Sequence, residues 1–260
     1  MIRRKSRREI ETMRKAGIVV ARVHAYCREN AKPGVSTWEL DQAAEEIIRS
    51  AGGTPTFKGY HGFPATICAS VNEEIVHGIP SKKRILQDGD VFSLDVGCTL
   101  NGMVADAALT VPIGTVAPEV QQLLDDTQRS LFVGIEAAVV GNRVHDIGAS
   151  IEAFANQKGY GIVRDYGGHG VGHRLHEEPH IPNHGKGGTG PRIKAGHCFA
   201  IEPMLNLGVD DVVVLADQWT VITADRKPSA HFEHSIAITD KGPYILTLPE
   251  DAKQPYVDSF

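Results

Sequence analysis

The sequence has no Cys-x-x-Cys pair. Its four cysteines, Cys27, Cys68, Cys98 and Cys198, stand far apart. That excludes a zinc ribbon, argues against a disulfide framework and leaves reduced thiols in a cytoplasmic protein. No apolar run approaches the roughly 20 residues that cross a bilayer, so no membrane association is expected. Positive charge is also short. With 27 Lys and Arg against 32 Asp and Glu, the net charge of −5 argues against a general nucleic-acid binder and against specific DNA contact. The basic start, Arg3-Arg-Lys-Ser-Arg-Arg8, leads into no apolar signal core and no small-residue cleavage site. It reads as the solvated start of a helix, with transient ribosome contact as its other use. Nothing resembles a linker, so residues 1–260 are read as one domain; a cytoplasmic monomer is expected.

Lysine and arginine are absent from residues 91–110, and this is where the chain is most informative. Two apolar, β-prone runs flank Asn101-Gly102, the strongest short hairpin signal. A two-residue turn there sets Leu100 opposite Met103, Asp95 opposite Ala108 and Gly97 opposite Asp106. Period two then places Asp95 and Asp106 on one face as diagonal neighbours, about 7–8 Å apart at the backbone. A lone Asp in a hairpin is ordinarily a turn or surface residue. Two on one apolar face repel each other and cost several kcal/mol to desolvate without a cation. A metal ion is the natural partner.

Around this hairpin the pattern predicts helices over residues 9–30 and 36–50, the second opened by the capping box Ser36-Thr-Trp-Glu39. A strand-like piece follows over 65–71. After Pro118 the pattern restarts, with a helical stripe from Val120 to Ile135, a break at Gly141-Asn142 and a helix over 145–158 closed by Gly159. The restart is an internal repeat at an offset of 107 residues: Gly34 maps to Gly141, Gly52 to Gly159, Phe92 to Phe199, Leu94 to Ile201 and Asp95 to Glu202. Two α/β halves follow, about 9–112 and 118–248, each with two helices and antiparallel strands, facing a shared cleft.

The repeat sets Glu202 where the first half has Asp95. Strand-like pieces follow over 212–215 and 219–222, then a strand over 230–239 whose Glu233 precedes an apolar run as Asp106 does. Between these acids lies Gly168-His-Gly-Val-Gly172, without a Walker Lys-Ser/Thr and unlike the dinucleotide fingerprint. Four acids and His169 suit a pair of hard or borderline divalent ions about 3.5–4 Å apart, where zinc alone more often shows additional His or Cys. Such a centre polarises a carbonyl and acidifies a water, which suits amide hydrolysis. His77 and His176, taken alone, are ordinary structural or surface histidines, as are His24, His145, His197 and His231.

Asn72-Glu-Glu-Ile-Val-His-Gly-Ile-Pro80, Ser93-Leu-Asp-Val-Gly97, Asp106-Ala-Ala-Leu-Thr110, Gly168-His-Gly-Val-Gly172, His176-Glu-Glu-Pro179, Ile201-Glu-Pro203 and Phe232-Glu-His-Ser235 resemble type I methionine aminopeptidase, in that family's order and spacing. The resemblance runs from the first helix to about residue 248. It implies the pita-bread fold, two pseudo-symmetric α/β halves around a central metal cleft, and excision of N-terminal methionine from nascent proteins when the second residue is small. It implies Asp95, Asp106, His169, Glu202 and Glu233 as ligands of two divalent ions (Co, Mn, Fe, Zn or Ni), with Asp106 and Glu233 bridging. His77 would lie near the scissile nitrogen and His176 at the carbonyl, with Glu202 also shuttling a proton. Phe57, Tyr60, Phe63, Cys68, Leu175 and Trp219 would form the methionine pocket. Many bacterial members carry Cys at the position of Phe57 and an aromatic at that of Leu175. The resemblance is to the short bacterial form, which has no long N-terminal extension.

Two alternatives share the fold. Xaa-Pro aminopeptidases and prolidases use the same five ligands but usually carry a separate N-terminal domain. A non-catalytic binding protein, like the metal-free creatinase-like branch, loses ligands that are all present here.

Overall fold

Residues 2–257 are described by a computed structural model. Two capped helices begin the chain, α1 (Arg7–Asn30) and α2 (Thr37–Ser50). Ser6 with Glu9 and Ser36 with Glu39 form reciprocal capping boxes, and the first starts α1 two residues before the apolar stripe that predicts it. Strands β1 (Thr54–Pro55), β2 (Ile67–Val71), β3 (Glu74–Val76), β4 (Val91–Leu100) and β5 (Met103–Pro112) follow. The β4–β5 hairpin has the predicted register, Leu100 opposite Met103 and Gly97 opposite Asp106. Asn101 and Gly102 both have positive φ, 49° and 75°, as a type I′ turn demands.

The second half repeats the plan. Helix α3 (Pro118–Ala137) starts on proline, and α4 (Val144–Lys158) ends on left-handed Gly159. Strands β6 (Gly161–Ile162), β7 (Gly167–Gly170), β8 (Glu177–Pro182), β9 (Cys198–Ile201), β10 (Met204–Asn206), β11 (Val212–Val214), β12 (Val221–Thr223), β13 (Ser229–His231), β14 (His234–Thr239) and β15 (Gly242–Ile245) complete the chain. In the first half β4 lies between β2 and β5; in the second, β9 lies between β7 and β14. The offset of 107 superposes these two central strands. This is the pita-bread arrangement that the resemblance implies.

Period two explains which face is which. Phe92, Leu94, Val96 and Cys98 of β4 are fully buried in the core shared with Val20, Val23 and Cys27 of α1. The alternating residues, Asp95 among them, are turned to the opposite face. Burying each large apolar side chain there contributes about 1.5–3 kcal/mol. All four cysteines are buried and unpaired. Among the described residues no helix is long and apolar enough to cross a membrane.

Two expectations need correction. The strand read over 230–239 is interrupted at Phe232-Glu233, because its first part pairs with β10 and its second with β9. The basic start is also not simply a solvated helix start. Lys5 is buried, and its backbone N–H donates to Gly196 O at 2.7 Å.

Candidate metal centre

Strands β4 and β5 deliver Asp95 and Asp106 diagonally across the hairpin. His169 comes from β7, opposite Ala200 of β9. Glu202 follows the last residue of β9, and Glu233 sits in the break between β13 and β14. The break itself is anchored on the hairpin, since Glu233 N donates to Ala108 O at 2.9 Å. Thus the interruption that period two does not foresee turns a carboxylate of the second half onto the strand carrying Asp106.

One ligand atom each from Asp106, His169 and Glu233 lies within 4.8 Å of the other two, and all three residues are buried. His169 Nε2 is 3.7 Å from Asp106 Oδ2 and 3.6 Å from Glu202 Oε1. Its Nδ1 lies 3.0 Å from Gly170 O. A carbonyl only accepts, so Nδ1 carries a hydrogen and Nε2 is the ring atom turned towards the acids. Ser235 Oγ is 2.9 Å from Asp106 Oδ1 and receives the Asp106 N–H at 3.1 Å.

Burial, and then neighbouring carboxylates, push Asp95 and Glu233 well above the ordinary carboxyl range. Burial likewise raises Asp106, with His169 opposing it, and lifts Glu202 to about 8. Asp95 Oδ1 and Glu233 Oε1 are buried without a hydrogen-bond partner. No Lys or Arg lines the cavity. Converging, unpartnered carboxylate oxygens beside an imidazole nitrogen form a donor set that a divalent cation satisfies and an apolar pocket does not.

Asp95, Asp106, His169, Glu202 and Glu233 line one cavity of about 210 Å³. Its other walls contain all the remaining candidates: His77 and His176, and the apolar group Phe57, Tyr60, Phe63, Cys68, Leu175 and Trp219. The Phe63 and Trp219 rings meet edge to face at 5.1 Å. His176 Nδ1 lies 2.9 Å from the Tyr60 hydroxyl, and His77 packs against Tyr166 and Trp219. Burial lowers both histidines to about 4, leaving neutral rings at physiological pH. An open cleft of about 660 Å³ continues outward from His169 and His176 past His173, Arg174 and His180.

Sequence reasoning misses three neighbours. His61 lines the same cavity. Tyr166 and His231 line a second cavity of about 200 Å³ behind Asp95 and Glu202, and His231 Nε2 is 3.5 Å from Glu202 Oε2. His231 stands two residues before Glu233 in the sequence, the one signal that could have marked it.

Residues 11–240 match the family described as Metallopeptidase family M24. The methionine aminopeptidase of Clostridium acetobutylicum is 48% identical over 250 residues, covering 96% of this chain and 100% of the relative. Methionine aminopeptidase 1 of Bacillus subtilis is 49% identical over 247 residues, covering 95% and 99%. The crystal structure of the Thermotoga maritima methionine aminopeptidase aligns with a TM-score of 0.94 at 42% identity, covering 95% of this chain and all of that one.

Proposed function

The chain belongs to metallopeptidase family M24, among its type I methionine aminopeptidases, and from this and the geometry of the centre we infer that it removes the N-terminal methionine of peptides. The observation that carries the reading is one cavity with two unlike walls, four acids and His169 on one side and an apolar, aromatic lining on the other. The apolar wall suits an unbranched thioether side chain. A free amino terminus suits the carboxylate wall, which limits the reaction to chain ends.

Asp95, Asp106, His169, Glu202 and Glu233 would together hold two divalent ions from among Mn, Fe, Co, Zn and Ni. Bound there, the ions supply Lewis acidity for the carbonyl and a water acidified enough to attack it. Glu202, which lines the cavity, would take the proton of the attacking water and return it to the leaving nitrogen. In the tautomer whose Nδ1 accepts from the Tyr60 hydroxyl, the His176 ring carries its hydrogen on Nε2 and would donate it to the developing oxyanion. His77 binds beside the scissile nitrogen. Substrates are nascent chains with a small second residue, and residues 1–260 act as one catalytic unit with halves at about 9–112 and 118–248.

The test is methionine release from Met-Ala-Ser by metal-stripped protein titrated with Mn(II), Co(II) or Fe(II), beside Asp95→Ala and an Xaa-Pro peptide. Metal-dependent release that Asp95→Ala abolishes is the expected result. Cleavage of the Xaa-Pro peptide alone would transfer the site to the proline-specific relatives. Silence on both peptides at saturating metal would support a binding protein.

A further inference from the structure

Lys5 is an unusual charge to find buried. Its side chain is 1% exposed, and Nζ lies 2.7 Å from Oε2 of Glu177, whose side chain is 12% exposed. The other oxygen of that carboxylate accepts the backbone N–H groups of His173 at 2.7 Å and Arg174 at 3.2 Å. One carboxylate therefore closes the 173–177 turn on itself and fastens it to the N-terminal segment. Gly172 shows how closely the lysine is fitted, because a Cβ there would lie 2.2 Å from Lys5 Cε. A side chain there would have to displace the ammonium stem from its present path.

The segment carrying Lys5 is itself held. Lys5 N donates to Gly196 O at 2.7 Å, Arg4 Nε donates to Ala195 O at 2.6 Å, and Glu9 of the capping box reaches His173 Nε2 at 2.7 Å. The turn it clasps carries Leu175 and His176, both of which line the cavity. A buried ion pair is weak evidence of stabilisation, since desolvating two charges costs several kcal/mol that an apolar pair would not. Burial raises the Glu177 carboxyl, but the Lys5 ammonium and the two amides outweigh it and hold the group below its usual range.

We propose that Lys5 is a positioning residue, which acts through Glu177 to fix the 173–177 turn and so sets His176 and Leu175 against the substrate. The proposal rests on the reading of His176 as the group that meets the substrate carbonyl. It assigns the basic N-terminal segment to the working site, where the sequence alone left it solvated.

The experiment is a double-mutant cycle on the full-length, metal-loaded chain with Lys5→Met, Lys5→Arg, His176→Ala and the Lys5→Met/His176→Ala pair. Methionine release gives kcat and KM, and amide hydrogen exchange follows His173 and Arg174. Lys5→Met is expected to lower kcat/KM about tenfold, mostly in kcat, as a small displacement of an aligned group does. Lys5→Arg restores it to within about threefold, exchange at His173 and Arg174 quickens while that of α1 does not, and in the His176→Ala background Lys5→Met changes little. An equal loss in both backgrounds, or unaltered exchange, would overturn the proposal. If Lys5→Met fails to fold, Glu177→Gln, which removes the charge but keeps an acceptor, carries the same cycle. If the unaltered chain releases no methionine, the reading of the site fails, and exchange at the two amides alone decides whether Lys5 holds the turn.

Discussion

Asp106 is held from across the molecule. Ser235, 129 residues later, lies within hydrogen-bond distance of its carboxylate and its carbonyl and receives its N–H. A hydroxyl so placed fixes the direction of a carboxylate that no lysine or arginine steadies. Ser235→Ala is therefore expected to weaken divalent-metal affinity about 10–100-fold, measured by calorimetric titration of the stripped protein. Unchanged affinity would mean that the strands alone orient Asp106. In the role proposed for His176, donor to the developing oxyanion, His176→Ala is expected to lower kcat about 10²–10³-fold with a smaller change in KM. A change confined to KM would reassign His176 to ground-state binding. The residue types of the centre were legible because Asp95 and Asp106 share a face by simple alternation. Ser235 and His231 were not, since each acquires its meaning only when the second half's strands pack on the first half's hairpin.

Elements were most legible where punctuation is local. The capping box Ser36-Glu39 opened α2, Asn101-Gly102 set the hairpin and Gly159 closed α4, whereas the box of Ser6 and Glu9, which starts α1 at Arg7, lies ahead of the apolar stripe and was passed over. The interruptions at Glu202-Pro203 and Phe232-Glu233 were harder to see, because the apolar alternation continues across both. Pro203 was the available signal, since proline removes a ladder donor and argues against an unbroken strand. What pairing partner each fragment takes is a long-range matter that no local pattern encodes. The docking of α1 is equally long-range. At Gly17 an added Cβ would lie 2.0 Å from Leu246 O, so the helix backbone rides directly on the chain that follows β15. Gly17→Ala gains helix propensity yet is expected to destabilise the fold by about 1–3 kcal/mol through overpacking, read from chemical denaturation. A neutral or stabilising outcome would mean that α1 can move outward without cost.

At the scale of the whole molecule, the repeat makes one cleft from two halves, and folding concentrates in it four carboxyls that oppose one another. Five buried or half-buried histidines, His24, His77, His197, His231 and His234, have pKa values lowered to between about 3 and about 4, with burial the first cause in each. Below about pH 6.5 the unfolded chain binds protons that these folded rings refuse, so each contributes a rise in stability with pH that ends near 6.5. The carboxyls act in the opposite sense. Their folded pKa values are raised, Glu202 from 4.5 to about 8, so from about pH 4.5 to about pH 8 the folded state holds protons that the unfolded chain has already lost, offsetting the histidines below pH 6.5 and acting alone above it. Stability of the metal-stripped protein is therefore expected to be greatest near pH 6.5 and to fall towards pH 8. A divalent ion requires the same carboxyls deprotonated and binds only the folded chain, so its stabilising effect grows over the same interval. Thermal melts of stripped and Mn(II)-loaded protein should therefore diverge steadily as pH rises, the loaded form losing little. Parallel curves would show that the carboxyls carry no excess protons in the folded chain, and that the cleft tolerates its four charges without an ion.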